Sequence, residues 1–179
     1  MKQTPVQFLT RTAVLLALML AVQVLKNISP WITGPIINAI LFIATMGIGL
    51  TSGIALSVIA PVTALILVQQ PLMVATNYTL VPVIMLGNII MILPLYFMKK
   101  ADYTPDFKMG LSMVIGSVIK WLVMLALLLW VVFPMFPNLP APMVAAATNV
   151  YTVVQIGAAL IGSVLAFLVW IPLKKALKK

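Results

Sequence analysis

The side chains of this sequence that could do chemistry are one lysine and a set of amides, because most other reactive residue types are absent. The chain has no histidine and no cysteine, and its only carboxylates are Asp102 and Asp106. General acid–base catalysis, nucleophilic catalysis and metal binding draw mainly on those residue types. The sequence therefore predicts a protein that is not an enzyme and that uses no cofactor or metal ion.

Lys120 stands alone in the middle of a long apolar segment. It lies about 18 Å along a helix from the nearest charged end of that segment, and its helical neighbours include no acid. An ammonium at that depth must lose its proton, be solvated by water and backbone carbonyls, or bind an anion; snorkelling to the membrane surface is the structural alternative. Anion binding would indicate a substrate with a carboxylate or another acidic group.

Several polar side chains share a depth near one end of the apolar segments. Polar groups in hydrocarbon are unfavourable unless they are satisfied, so we expect them to converge inside the bundle. The alternative for each amide is an interhelical hydrogen bond that only holds helices together. Their shared depth favours a binding cavity that opens to the extracellular face. The predicted substrate-binding residues are Asn38, Asn77, Tyr78, Asn88, Lys120, Asn149, Thr152 and Gln155.

Composition places these residues in a membrane protein. The 179 residues are 64% hydrophobic and 7% charged, whereas a soluble domain carries roughly a quarter charged residues. The net charge of +9 does not indicate a nucleic-acid partner, because no basic patch is interleaved with aromatic residues. The basic residues lie at the ends of apolar runs instead, as is typical beside membrane lipid.

Several apolar runs are long enough to cross a membrane. The run 36–68 would be about 50 Å long as one helix, against a hydrocarbon core of about 30 Å, so it must fold back, and the glycines at 47–53 mark the corner. We predict an all-α integral membrane protein with one transmembrane domain, residues 1–179. Its predicted spans are 8–25, 36–47, 53–68, 80–98, 109–133 and 149–171.

The distribution of basic residues predicts the orientation. With six spans, one side of the membrane carries Lys2, Arg11, Lys99, Lys100, Lys108 and the tail lysines 174, 175, 178 and 179. The other side carries only Lys26. Cytoplasmic segments carry the excess of lysine and arginine in membrane proteins. Both termini are therefore predicted to be cytoplasmic.

Ala13, Ala17 and Ala21 recur at a spacing of four in the first span. On a helix they form one stripe, where a second helix can approach closely. Two interpretations stay open, because the stripe could pack inside its own bundle or face a partner protein.

Six spans in a chain of this size, the cytoplasmic lysines and Ala13-xxx-Ala17 together resemble the S component of energy-coupling factor (ECF) transporters, which take up vitamins in prokaryotes. Segments 33–67 (TGPIINAILFIATMGIGLTSGIALSVIAPVTALIL) and 81–93 (VPVIMLGNIIMIL) look like one branch of that family. The resemblance implies a multi-pass protein of a prokaryotic cell membrane. It also implies high-affinity binding of a vitamin or related micronutrient from outside.

The resemblance further implies a membrane-embedded coupling (T) subunit that contacts the small-residue stripe, and two ATPase subunits that drive it. The whole S component would topple in the membrane to deliver its substrate. Loops 26–34, 69–79 and 134–148 would cover the substrate. A small pore-forming or structural multi-span membrane protein remains the alternative interpretation.

Overall fold

The computed structural model describes residues 4–24, 29–68, 71–99 and 103–177, and every regular element in these ranges is helical. The helices are α1 (Pro5–Val24), α2 (Pro30–Gly47), α3 (Leu50–Leu67), α4 (Pro71–Ala75), α5 (Leu80–Lys99), α6 (Phe107–Leu127), α7 (Phe133–Met135), α8 (Ala141–Asn149) and α9 (Gln155–Leu177). A π-helical turn at Leu128–Val132 joins α6 to α7, and another at Val150–Val154 joins α8 to α9.

Six of these helical segments are long and apolar enough to cross a membrane. They are α1, α2, α3, α5, the continuous segment Phe107–Met135 and the continuous segment Ala141–Ala176. The prediction of an all-α, multi-span membrane protein is confirmed.

The second span begins at Pro30, earlier than the predicted start at residue 36. The Ser29 side chain accepts a hydrogen bond from the Trp31 amide at 3.2 Å and caps α2, and Pro30 occupies the first turn. Ser29 is a favourable N-cap, and proline fits the first turn because its missing N–H needs no partner there. Pro35 therefore lies inside α2 instead of opening it.

The glycine-rich corner between the second and third spans is tight, as the sequence indicated. Helix α2 ends at Gly47 and α3 begins at Leu50. Gly49 has a φ of +138° and its amide donates to the Ala44 carbonyl at 3.0 Å. Only glycine adopts this backbone conformation without strain, so a non-glycine residue would not make this turn.

The prediction that 134–148 forms a loop is wrong, because most of this segment is helical. Only residues 136–140 separate α7 from α8, and α8 runs on into the last span. Proline does not prevent a helix here, because Pro142 lies in the first turn of α8 and a run of alanines with high helix propensity follows it. The segment 69–79 likewise contains the short helix α4.

Small residues let the helices pack closely around the core. Helix α2 packs along α9, and α5 packs along α6. A Cβ atom at Gly116 in α6 would overlap the backbone carbonyl of Met91 in α5. Close backbone approach of this kind is a main source of helix–helix affinity in lipid.

Helix α1 lies at the edge of the bundle. In the most apolar 18-residue stretch of α1, only 11% is buried, whereas the corresponding share for α2 is 56%. Two polar contacts tie it to α3, one between the Thr12 and Ser52 hydroxyls at 2.9 Å and one from Gln23 Nε2 to the Ala60 carbonyl at 2.8 Å. These contacts lie near opposite ends of α1, so α1 and α3 run parallel.

Candidate binding cavity

A cavity of about 670 Å³ lies between the helices at the end of the bundle remote from the α2–α3 corner. All six spans contribute to its wall, as do α4 and the segment that leads into α8. Small-molecule sites in proteins usually measure 300–1,000 Å³ and have mostly apolar walls with a few placed polar groups. This cavity has the size and character of such a site.

Lys120 and two asparagines form the polar floor of the cavity. The Lys120 ammonium donates to Asn38 Oδ1 at 2.7 Å and to Asn88 Oδ1 at 2.8 Å. The three side chains come from α6, α2 and α5 and are only 2–3% exposed. All three residues are among the predicted substrate-binding residues, but their contact with one another does not follow from the sequence.

The orientation of both amides follows from the lysine. An ammonium only donates hydrogen bonds, so each asparagine must turn its oxygen toward Nζ. That leaves each Nδ2 with two N–H donors. In the described part of the chain, no acceptor is hydrogen-bonded to either Nδ2. Both asparagines line the cavity, so the cluster offers its remaining donors to a ligand.

Glycines make room for this cluster. A Cβ atom at Gly87 would crowd the Met124 side chain and lie 3.5 Å from Lys120 Cγ. A Cβ atom at Gly162 in α9 would lie 2.7 Å from Asn38 Cβ. The methylene chain of Lys120 and the side chain of Asn38 therefore fit in these positions because the residues that face them are glycines, which have no Cβ atom.

No carboxylate among the described residues reaches Lys120. Asp106 caps α6, accepts from the Met109 amide at 2.8 Å and pairs with Lys99 at 2.8 Å. The hydrogen bond from Lys99, and then that from the Met109 amide, hold the pKa of Asp106 below its usual value of 3.8. Asp102 lies outside the described residues. Among the residues that the structure describes, the hydrogen-bond partners of Lys120 are thus neutral amides only.

Two glutamines line the cavity but differ in what they leave free. Both polar atoms of Gln23 are hydrogen-bonded to α3, since its Nε2 donates to the Ala60 carbonyl and its Oε1 accepts from the Thr63 hydroxyl at 2.8 Å. Gln23 therefore links α1 to α3, which is the alternative stated above for the amides. Gln155 Nε2 donates to Met124 Sδ at 3.2 Å, which leaves its Oε1 as an acceptor near the cavity.

The structure does not bring four of the predicted binding residues to the cavity wall. Asn77 and Tyr78 form the α4–α5 turn with φ angles of 45° and 61°, and Tyr78 is half-exposed. Asn149 is exposed, and the Thr152 hydroxyl donates to the Thr148 carbonyl at 2.7 Å. The π-helical turn between Asn149 and Gln155 has a wider hydrogen-bond ring, which breaks the regular helical arc assumed from the sequence.

Several wall residues were missed because they lie in segments assigned to loops or are apolar. Leu72 and Met73 come from α4, and Met73 is only 1% exposed. Ala147 and Tyr151 come from α8 and the π-helical turn after it. The apolar run after Pro71 was the available signal for a buried helix there. Residues 26–28 and 69–70 of the predicted covering loops, and the lysines at 2, 100, 178 and 179, lie outside the described residues.

Beyond Lys120, large apolar side chains fill the bundle. Phe42, Met91 and Leu95 pack with Met109 and Met113, and all five are fully buried. At the end of the bundle remote from the cavity, Trp170 Nε1 donates to the Tyr103 carbonyl at 2.7 Å. Burial raises the pKa of the Tyr103 hydroxyl to about 12. In the part of the chain that the structure describes, the cavity ends at the lysine cluster.

Ala13, Ala17 and Ala21 are all exposed on the outer side of α1. The interpretation that this stripe packs inside its own bundle is therefore wrong. The stripe faces lipid or another protein.

The fold and the cavity together define a helical, multi-span membrane protein with an internal cavity whose polar floor offers hydrogen-bond donors. Comparison with family models, with curated proteins and with solved structures finds no match to this chain.

Proposed function

We propose that this chain is the substrate-binding S component of an ECF-type importer in a prokaryotic cell membrane. It binds a vitamin or related micronutrient from outside, and a T subunit with two ATPase subunits supplies the energy. The observation that carries the proposal is the cavity, which all six spans surround and whose polar floor is Lys120, Asn38 and Asn88. Such a site, whose described lining contains no histidine, cysteine or carboxylate side chain, suits capture of a solute.

The position of α1 supports the part of the proposal that concerns partners. Its alanine stripe is exposed along a helix that is itself at the edge of the bundle. A stripe of small side chains allows a facing helix to approach to backbone contact. In the proposed complex this surface contacts the T subunit.

The residues inside the spans favour capture over self-powered transport. Secondary transporters commonly couple through carboxylates in the membrane. The described spans contain no carboxylate, because Asp106 precedes α6. The binding subunit of a larger transporter does not need such a group, since its partners hydrolyse ATP.

A small pore-forming or structural protein is the second candidate. A pore requires a continuous polar or dewettable path through the bundle. The tight apolar packing around Phe42, Met91 and Met113 favours the capture function instead. Liposomes that contain this chain alone test the difference, because a pore leaks ions or small solutes and an S component does not.

The decisive experiment is reconstitution with partners. The isolated protein is purified and its retained small molecule is identified by mass spectrometry. That molecule, isotopically labelled, is then offered to liposomes that contain the chain with T and ATPase subunits of the same genome. We expect uptake that requires ATP and all subunits. Failure of the chain to assemble with any T subunit, or uptake by the chain alone, would overturn the proposal.

A further inference from the structure

The polar floor of the cavity is built to hold an anion. Among the described residues, Lys120 is the only charged one on the cavity wall, and the carboxylate of Asp106 is paired with Lys99 about 21 Å away along α6. The two asparagines solvate the ammonium but leave the net charge unchanged. In a site of low dielectric constant, a charge that has no counter-ion attracts an opposite charge strongly. When Lys120 is protonated, the cavity floor therefore has a positive potential, and an anionic ligand both neutralises it and favours the protonated form.

The hydrogen-bonding groups of the floor have the same polarity as its charge. Asn38 and Asn88 use their acceptor oxygens on Lys120, so each offers only N–H donors to the cavity. Lys120 has a third N–H beyond the two it donates to the amides. A carboxylate has two acceptor oxygens and no donor. It matches this arrangement in charge and in hydrogen bonding, whereas an ammonium matches neither.

Apart from Gln23, Thr33 and Gln155, the rest of the wall is mostly apolar. Ile37, Ile84, Met73, Tyr151 and Val154 surround the space between the cluster and the cavity mouth. Gln155 contributes the free acceptor Oε1 about one helical turn from Lys120, since it bonds Met124, which lies four residues after the lysine. The wall thus fits a ligand with an apolar body. A hydrogen-bond donor on that ligand could bind Gln155 Oε1.

We infer that the cavity recognises a small carboxylic acid with an apolar body, which enters with the acid group first and places it on Lys120, Asn38 and Asn88. This inference names the substrate class and rests on the proposed capture function. The polar network fixes which end of the ligand points inward. The apolar wall accommodates the body of the ligand behind the acid group.

The test uses the isolated full-length protein, washed until mass spectrometry detects no retained small molecule. The probes are 3-phenylpropionate and indole-3-propionate, each compared with its neutral primary amide, and 3-phenylpropylammonium. Thermal unfolding of the protein reports binding, because a ligand that binds the folded state raises the melting temperature. We expect the acids to stabilise the protein, the amides to do so much less, and the ammonium probe not at all.

Two variants test the role of the cluster. Lys120→Met removes the charge, and we expect acid affinity to fall about ten- to a hundredfold. Asn88→Asp keeps the lysine and supplies an internal counter-ion, so the preference for acid over amide should disappear while the protein stays folded. Lys108→Met is the matched control, since it makes the same chemical change at an exposed site on α6. It should preserve the preference.

If Lys120→Met fails to fold, Asn88→Asp decides the question alone. Equal stabilisation by acid and amide, stabilisation by the ammonium probe, an unchanged preference in Asn88→Asp, or no stabilisation by either acid at millimolar concentration would overturn the inference. Nanodiscs with and without phosphatidylglycerol test a lipid headgroup. Stabilisation by that lipid that abolishes the effect of the acids would assign the cluster to lipid phosphate and overturn the inference as well.

These outcomes are independent of the proposed function. The binding test uses no partner subunit, so its failure would leave assembly with a T subunit untouched. Conversely, failure to assemble would remove the S component role and leave the preference for acids standing.

Discussion

At the scale of single residues, Lys120 is held in a way that is unusual for a buried cation, because both of its partners are neutral. The amide oxygens of Asn38 and Asn88 replace part of the water that an ammonium loses on burial. Leaving such a charge without hydrogen bonds would be strongly unfavourable in a membrane interior. The Lys120 side chain thereby links α6 to α2 and α5. The contribution of each asparagine to the stability of the bundle therefore depends on the presence of the lysine.

A double-mutant cycle measures that dependence. Asn88→Leu should destabilise the parent protein by about 1–3 kcal/mol, because the ammonium loses one of two partners while staying buried. The same change in a Lys120→Met background should have a much smaller effect, since no charge remains to be solvated. Reversible unfolding of the four proteins in detergent gives the coupling free energy. Additive effects would show that Asn88 stabilises the bundle through other contacts.

At the scale of secondary-structure elements, the contact between α5 and α6 depends on a missing side chain. The Gly116 Cα faces the backbone carbonyl of Met91, which cannot rotate away as a side chain could. Gly116→Ala should therefore push the helices apart and lower stability by about 1–3 kcal/mol.

Gly110 offers a control on the same helix. A Cβ atom there would meet only the Phe167 ring, at 3.8 Å, which is an ordinary contact distance. Gly110→Ala should leave stability unchanged or raise it slightly, because alanine favours helix more than glycine does. Comparison of the two melting temperatures checks the prediction. A similar loss in both variants would point to the local backbone of α6 instead of its contact with α5.

Helix α1 provides a second prediction at this scale. Ala13→Trp and Ala17→Trp place bulky rings on the exposed stripe, so the isolated protein should fold and keep its cavity. In the proposed complex the same rings would prevent close approach of the T subunit, and co-purification with it should be lost. Leu18→Trp is the control, because Leu18 is exposed on α1 but lies off the stripe. Normal assembly of both alanine variants would exclude this stripe as the contact surface.

At the scale of the whole molecule, the lysines at the helix ends and the cavity lie at opposite ends of the bundle. Lys99, Lys108, Lys174 and Lys175 belong to helix ends remote from the cavity, at the end that the lysine bias predicts to be cytoplasmic. This arrangement predicts that the cavity faces the outside of the cell.

Because the chain contains no cysteine, single cysteines can report its orientation. Asn138→Cys lies in the exposed α7–α8 connection beside the cavity, and Pro105→Cys lies in the exposed segment before α6. A membrane-impermeant maleimide should label the first in intact cells and the second only after the membrane is permeabilised. The reverse pattern would place the cavity on the cytoplasmic side.

The number of spans, the membrane class and the corner at Gly47–Gly49 followed from the sequence because they depend on properties read along the chain. Apolar length counts the spans, and a glycine corner needs no distant partner. The depth of the polar residues was accessible in the same way. It was enough to select Lys120, Asn38 and Asn88 as candidates.

The arrangement of those candidates required the folded molecule. Asn38 and Lys120 are 82 residues apart in sequence, and no local pattern states which faces of α2, α5 and α6 meet. The helical register of the last span also depends on packing, since the π-helical turn at Val150–Val154 changes the direction in which Asn149 points relative to Gln155. Whether the alanine stripe lies inside or outside depended on how α1 docks on α2 and α3. Contacts between distant segments set all three results, and a one-dimensional pattern carries no information about such contacts.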